Sequence, residues 1–132
     1  MVEPDVWIAV VDDDSPVRTM LARVLAQAQY RACGYASGEE FLASLGVRLP
    51  ACAIIDVQMP GLSGFEVRAR MRAANVLVPV VFITGRDGMA LDASMRDAGV
   101  EQLLQKPFSS DALLDALDRA TGRTRAALGG KV

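Results

Sequence analysis

The chain contains no histidine. That excludes histidine-based acid–base chemistry, imidazole metal ligation and a phosphohistidine on this chain. Its two cysteines, Cys33 and Cys52, stand in no metal-binding spacing. Both read as small strand or core residues. No long basic run occurs and the net charge is −2 at pH 7, so direct nucleic-acid binding is not expected. The apolar runs are a few residues long, far short of the roughly 20 that span a membrane. The opening Met1-Val2-Glu3-Pro4-Asp5 is acidic and has no signal-peptide pattern, so a cytoplasmic location is expected. Carboxylates, threonine, lysine and backbone must carry any chemistry.

What is present is a rhythm. The 132 residues are 52% hydrophobic and 23% charged, which suits one globular domain. Val6–Val11 is a nearly unbroken apolar run, as in a strand buried on both faces. Ser15 reads as an N-cap with Pro16 at the first helical position. Val17, Met20, Leu21, Val24, Leu25 and Ala28 follow at helical spacing. Arg31–Tyr35 is a more polar strand suited to an edge. Ser37 and Glu40 read as a capping box for a helix carrying Phe41, Leu42 and Leu45. Strand 3 is Ala51–Val57, and Met59–Leu62 is rich in turn residues. Ser63 and Glu66 form a second capping box, opening a helix to about Ala74. Strand 4 is Val78–Thr84, and after Gly85–Gly88 a helix is expected to run to Ala98. Strand 5 is Gln102–Gln105; Ser109 or Ser110 then caps a last helix, Asp111–Ala120, burying Leu113, Leu114 and Leu117. Residues 1–120 make the domain and 121–132 a tail or the start of a linker.

Five βα units with short connections imply an α/β fold: a parallel five-stranded sheet, flavodoxin-like order 2-1-3-4-5, with five helices. Strand 1 then separates the two cysteine strands by roughly 9–10 Å, beyond the ~7 Å Cα limit of a disulfide.

In such sheets the active crevice lies outside the carboxyl ends of the strands. Strand 1 ends there in Asp12-Asp13-Asp14, strand 3 carries Asp56, strand 4 ends in Thr84 and strand 5 in Lys106-Pro107. Crowded carboxylates repel one another unless a cation neutralises them. Oxygen ligands without His or Cys suit Mg²⁺. With Mg²⁺ and the Lys106 ammonium the crevice can accept a phosphate, and Asp56 can be the nucleophile that forms an acyl phosphate. Thr84 and Lys106 are placed to meet phosphoryl oxygens. Each residue also has an ordinary reading: a turn cluster for the aspartates, a strand end for Thr84, a solvated lysine for Lys106. Asp56 resists that treatment, because a carboxylate inside AIIDV is costly to bury without a role. A flavin binder would want a Ser/Thr/Gly loop where DDDSP stands. An aspartyl phosphohydrolase would want a second Asp where Gln58 stands. A phosphorylation-independent interaction module is the remaining alternative.

Together VVDDD-x-P-V-R, IIDVQMPGLSGFE, VVFITG and QKPF, from Trp7 to Ala120, resemble the receiver domain of bacterial two-component response regulators. The resemblance implies Asp56 as phosphoacceptor, served by a histidine kinase or phosphotransfer protein. It implies an acidic pair Asp12 and Asp13, with Asp13 touching Mg²⁺ directly and Asp12 through water, and Asp14 outside the pair. It implies the backbone carbonyl of Gln58 as a further Mg²⁺ ligand, Thr84 as switch hydroxyl and Lys106 as phosphate partner. It also implies a cis peptide before Pro107. The output is then a partner or a domain absent from this chain. A homodimer through the fourth helix, strand 5 and the last helix is admitted. The implied role is signalling rather than enzymatic turnover, apart from self-phosphorylation and slow self-dephosphorylation. One position departs: three residues before Lys106 the family usually has an aromatic, and here stands Leu103. Trp7, the sole tryptophan, is expected to report cation binding at the strand ends by fluorescence.

Overall fold

The computed structural model describes residues 7–85 and 102–122. Five parallel strands, β1 (Trp7–Val11), β2 (Arg31–Tyr35), β3 (Cys52–Asp56), β4 (Val80–Thr84) and β5 (Gln102–Gln105), lie in the order β2-β1-β3-β4-β5. The described helices are α1 (Ser15–Gln27), α2 (Gly38–Ser44), α3 (Gly64–Ala73) and a C-terminal α4 (Ser110–Thr121). The helix expected between strands 4 and 5 lies outside the described residues, as does the tail beyond Gly122.

The three central strands are buried along their whole length, which is why their sequences lack apolar–polar alternation. Their side chains still alternate between two cores, because successive residues point to opposite faces. Ile8, Val10, Cys52, Ile54, Val81 and Ile83 pack with Leu21 and Leu25 of α1 and Leu113 and Leu117 of α4. Trp7, Ala9, Val11, Ala53, Ile55 and Phe82 pack with Phe41 of α2 and Val67 and Met71 of α3. Strand β2 is the exposed edge. Cys33 is exposed, Cys52 is buried, and both are free thiols.

Local signals hold with instructive exceptions. The capping box of α3 is complete: Glu66 N–H donates to Ser63 Oγ at 3.1 Å and Ser63 N–H to Glu66 Oε1 at 2.8 Å. The α2 box is only half built. Ser37 Oγ accepts from Glu40 N–H, but Glu40 Oε1 faces the N–H of Ala36 at 3.4 Å. Ser109, not Ser110, caps α4. The cap of α1 is Asp14 rather than Ser15, because the Asp14 N–H is held by the Asp12 carboxylate at 2.9 Å and its backbone stays extended. Met20 is exposed rather than buried; at 100° per residue it lies roughly a quarter turn from the centre of the α1 stripe.

Leu103 pairs with Phe82 across β4 and β5, is half-buried, and packs at the margin of the α2–α3 core. Truncating it removes contacts on one side only. Leu103→Ala is expected to cost about 1–2 kcal/mol, against about 2–5 kcal/mol for Leu113→Ala in the fully buried centre. Urea unfolding of the two variants checks this, and equal losses would contradict it.

Candidate functional site

The carboxyl ends of β1, β3, β4 and β5 converge on one acidic cleft. Asp12 follows β1 with its N–H donated to the Tyr35 carbonyl of β2 at 3.1 Å, and it is fully buried. Asp56 is the last residue of β3 and only 6% exposed. Its neighbour Val57 stays in the sheet by donating to the Ile83 carbonyl at 2.8 Å. Thr84 ends β4, buried, and its carbonyl accepts from Lys106 N–H at 2.7 Å. That bond ties the lysine backbone to the end of β4. The Lys106–Pro107 peptide is cis.

The side chains meet. Lys106 Nζ lies 3.5 Å from Asp12 Oδ2 and 3.7 Å from Asp56 Oδ2. Ligand oxygens of Asp12, Asp13 and Asp56 all lie within 4.8 Å of one another. Asp13 is exposed and Asp12 and Asp56 are buried, so the cluster opens to water on the Asp13 side. Asp56 Oδ1 accepts from Gln58 N–H at 3.1 Å. The Asp14 side chain stands outside the trio; its contribution is the backbone N–H on Asp12 Oδ1.

Two observations test whether a cation fits. Asp12 Oδ2 is buried without a hydrogen-bond donor. Among these groups, three carboxylates face one ammonium, which leaves a deficit that a divalent ion would balance. The donor set is all oxygen, and the open Asp13 side leaves room for water, as a hydrated hard cation requires. The residues fit Mg²⁺.

Burial pushes the Asp56 carboxyl up from 3.8 to about 6. The Gln58 N–H and the Lys106 ammonium oppose this, and the nearby Asp12 charge adds to it. The folded chain therefore keeps a proton on Asp56 between pH 4 and 6 that the unfolded chain has lost. Stability of the metal-free protein accordingly falls as pH rises through that window. Asp56→Asn removes the ionisation, so without divalent cation the variant is expected to be more stable than wild type by about 1–3 kcal/mol at pH 7.5. The gap should narrow towards pH 4. Urea unfolding in EDTA at both pH values checks it; a gap independent of pH would refute the assignment.

Two residues of the site lie within the receiver-like segments, but their roles were not read from the sequence. Gly64 opens α3 with its N–H on the Val57 carbonyl, and a Cβ there would lie 2.5 Å from the Asp56 carbonyl oxygen. Only glycine lets the helix start so close to the acceptor strand. Its position right after the capping Ser63 is the one hint the sequence offers. Arg18 of α1 donates from Nη1 to the Asp12 main-chain carbonyl at 2.6 Å. Trp7, in contrast, is no reporter for this cleft. It begins β1, under the Arg48 guanidinium 4.5 Å from its ring centroid, and five residues of strand put it roughly 16 Å from Asp12.

The family model for the response regulator receiver domain matches residues 8–118. Nodulation protein W of Bradyrhizobium diazoefficiens is 31% identical over 89% of this chain and 52% of its own length. Response regulator MprA of Mycobacterium ulcerans is 34% identical over 91% of the chain and 52% of its own. The chain thus spans about half the length of these curated relatives. Among solved structures, a response regulator receiver protein from Burkholderia phymatum superposes with a TM-score of 0.78 at 36% identity, covering 89% of this chain and 96% of that one. The FixJ-N crystal structure superposes with a TM-score of 0.81 at 28% identity, covering 91% and 96%.

Proposed function

The chain belongs to the response regulator receiver family, and from that premise we propose that it is a phosphorylatable switch whose Asp56 accepts a phosphoryl group. One observation carries the reading: among the described residues the Lys106 ammonium lies 3.5 and 3.7 Å from two buried carboxylates, one of which has an oxygen without a hydrogen bond. A fold that merely needed stability would not bury two carboxylates against one lysine and leave one of their oxygens without a hydrogen bond.

Asp12, Asp13, Asp56 and the Gln58 carbonyl are the residues that would hold Mg²⁺. When bound, the ion supplies positive charge that lets a phosphate approach the carboxylates. The Asp56 oxygen attacks phosphorus in line. The bond from phosphorus to the donor breaks, its electron pair leaves with the donor, and an acyl phosphate remains. Lys106 exchanges its carboxylate contacts for a phosphoryl oxygen. The Thr84 hydroxyl donates to another, and this draws the end of β4 inward. Phosphorylation then selects between two packings that contact the phosphoryl group differently. The donor is a histidine kinase or phosphotransfer protein in the cytoplasm. The output lies in a further domain or a separate partner. Among the described residues no helix is long and apolar enough to cross a membrane.

Intact mass after incubation with Mg²⁺ and acetyl phosphate tests the proposal. One phosphoryl increment per chain is expected, and none in EDTA. A chain that stays unmodified under both conditions would be a receiver-like interaction module instead.

A further inference from the structure

We propose that Arg18 is a positioning residue for the cation site: it fixes the plane of the Asp12–Asp13 peptide and so sets where the Asp13 carboxylate stands. The inference rests on the reading of this cleft as a Mg²⁺ site.

The β1–β2 register ends at the pair Val11–Tyr35, so the Asp12 carbonyl lies one residue past the ladder. Its residue is nevertheless fully buried, and a buried carbonyl demands a donor. Arg18 supplies a charge-assisted one, Nη1 to O at 2.6 Å. The Asp12 N–H is held on the other side by the Tyr35 carbonyl at 3.1 Å. With both backbone groups of Asp12 fixed, the next peptide cannot rotate. That rotation is the motion that would swing Asp13 away from Asp12 and Asp56, whose ligand oxygens now lie within 4.8 Å of its own.

The route Arg18 takes is also built. Its first helical bond, N–H to the Asp14 carbonyl at 3.1 Å, places it in the opening turn of α1. From there its stem passes over Gly34 of β2: a Cβ at that position would lie 3.3 Å from Arg18 Cδ and 3.6 Å from Nε. Glycine at an exposed edge strand contributes no packing of its own. Here it leaves the path that the guanidinium needs. Arg18 thereby connects α1, the edge strand and the acidic turn without touching any carboxylate contact given above.

The test is the Mg²⁺ dissociation constant by calorimetry, with the half-saturating Mg²⁺ for phosphorylation by acetyl phosphate as a second readout. Arg18→Met is expected to weaken Mg²⁺ binding about tenfold, the scale of an outer-shell loss. It should raise half-saturation by a similar factor and leave the rate at saturating Mg²⁺ within about twofold. Gly34→Val crowds the stem while keeping every charge, and is expected to weaken binding in the same direction by roughly threefold. A merely structural role would lower the unfolding temperature and leave the affinity of the folded protein unchanged. Arg18→Met and Gly34→Val affinities both within twofold of wild type would overturn the inference. So would full recovery by Arg18→Lys with no effect of Gly34→Val, which would assign the role to charge alone. If Arg18→Met does not fold, Gly34→Val decides. Wild-type protein that binds no Mg²⁺ would overturn the underlying reading of the cleft, and the inference with it.

Discussion

Asp56→Asn is expected to take up no phosphoryl group from acetyl phosphate or from a phosphorylated kinase, where wild type takes up one. The substitution is close to isosteric. Its amide oxygen can still accept from the Gln58 N–H that now bonds Asp56 Oδ1, so the turn after β3 is retained. What is lost is the anionic oxygen that attacks phosphorus. Without divalent cation the same variant should be the more stable protein near neutral pH, since the carboxyl it replaces is pushed up to about 6 by burial. Loss of phosphorylation together with gained stability cannot be put down to misfolding. Intact mass and urea unfolding on one preparation give both numbers. A fully modified Asp56→Asn chain would move the acceptor to another carboxylate of the cleft.

Asp13→Ala is expected to weaken Mg²⁺ binding by about a hundredfold or more, beyond the ten- to hundredfold typical of residues acting through water or a second layer. Asp13 is the exposed member of the trio, on the side where a hydrated ion has room. Asp12→Ala is expected to fall near tenfold. It removes a buried oxygen that lacks a donor, and it leaves Lys106 with Asp56 alone of the two carboxylates it now faces. Asp14→Ala is expected to change affinity less than about threefold, because what Asp14 gives the site is a backbone N–H that alanine keeps. Calorimetry is the measurement, since Trp7 lies at the opposite end of β1. Equal losses at Asp13 and Asp14 would show that the acidic pair is assigned wrongly.

The receiver assignment covers less than the full length of the curated relatives, 52% of nodulation protein W among them. The dimer face suggested by the resemblance includes the stretch between β4 and β5 that lies outside the described residues. Leu103 is described, and it sits at the edge of the α2–α3 core against Phe82. Any relay through this position works with a half-buried aliphatic side chain rather than an aromatic ring.

Much was legible in the sequence because it is governed by local physics. Unbroken apolar runs at Trp7–Val11 and Val80–Thr84 can be satisfied only between two helical layers, and that is where they lie. The Ser63–Glu66 box is a bond between residues three apart, so it reads the same in the chain and in the fold. The acidic residues and the lysine were legible as a group for a topological reason: in a parallel sheet, every strand delivers its C-terminal residue to the same edge. Other features depended on partners distant in the chain or on the exact path of a turn. Asp14 rather than Ser15 caps α1 because the Asp12 side chain reaches back to it. Met20 falls outside the buried stripe because the core beneath α1 is narrower than the apolar run above it. Arg18 over Gly34, Gly64 against the Asp56 carbonyl, and the donorless Asp12 oxygen arise only when β1, β2, β3 and the helix starts are brought into register. Composition and periodicity report what a residue tends to bury. Which atom it then meets is decided by the tertiary packing, since close contacts between strands and helix ends are set to tenths of an ångström that no local pattern encodes.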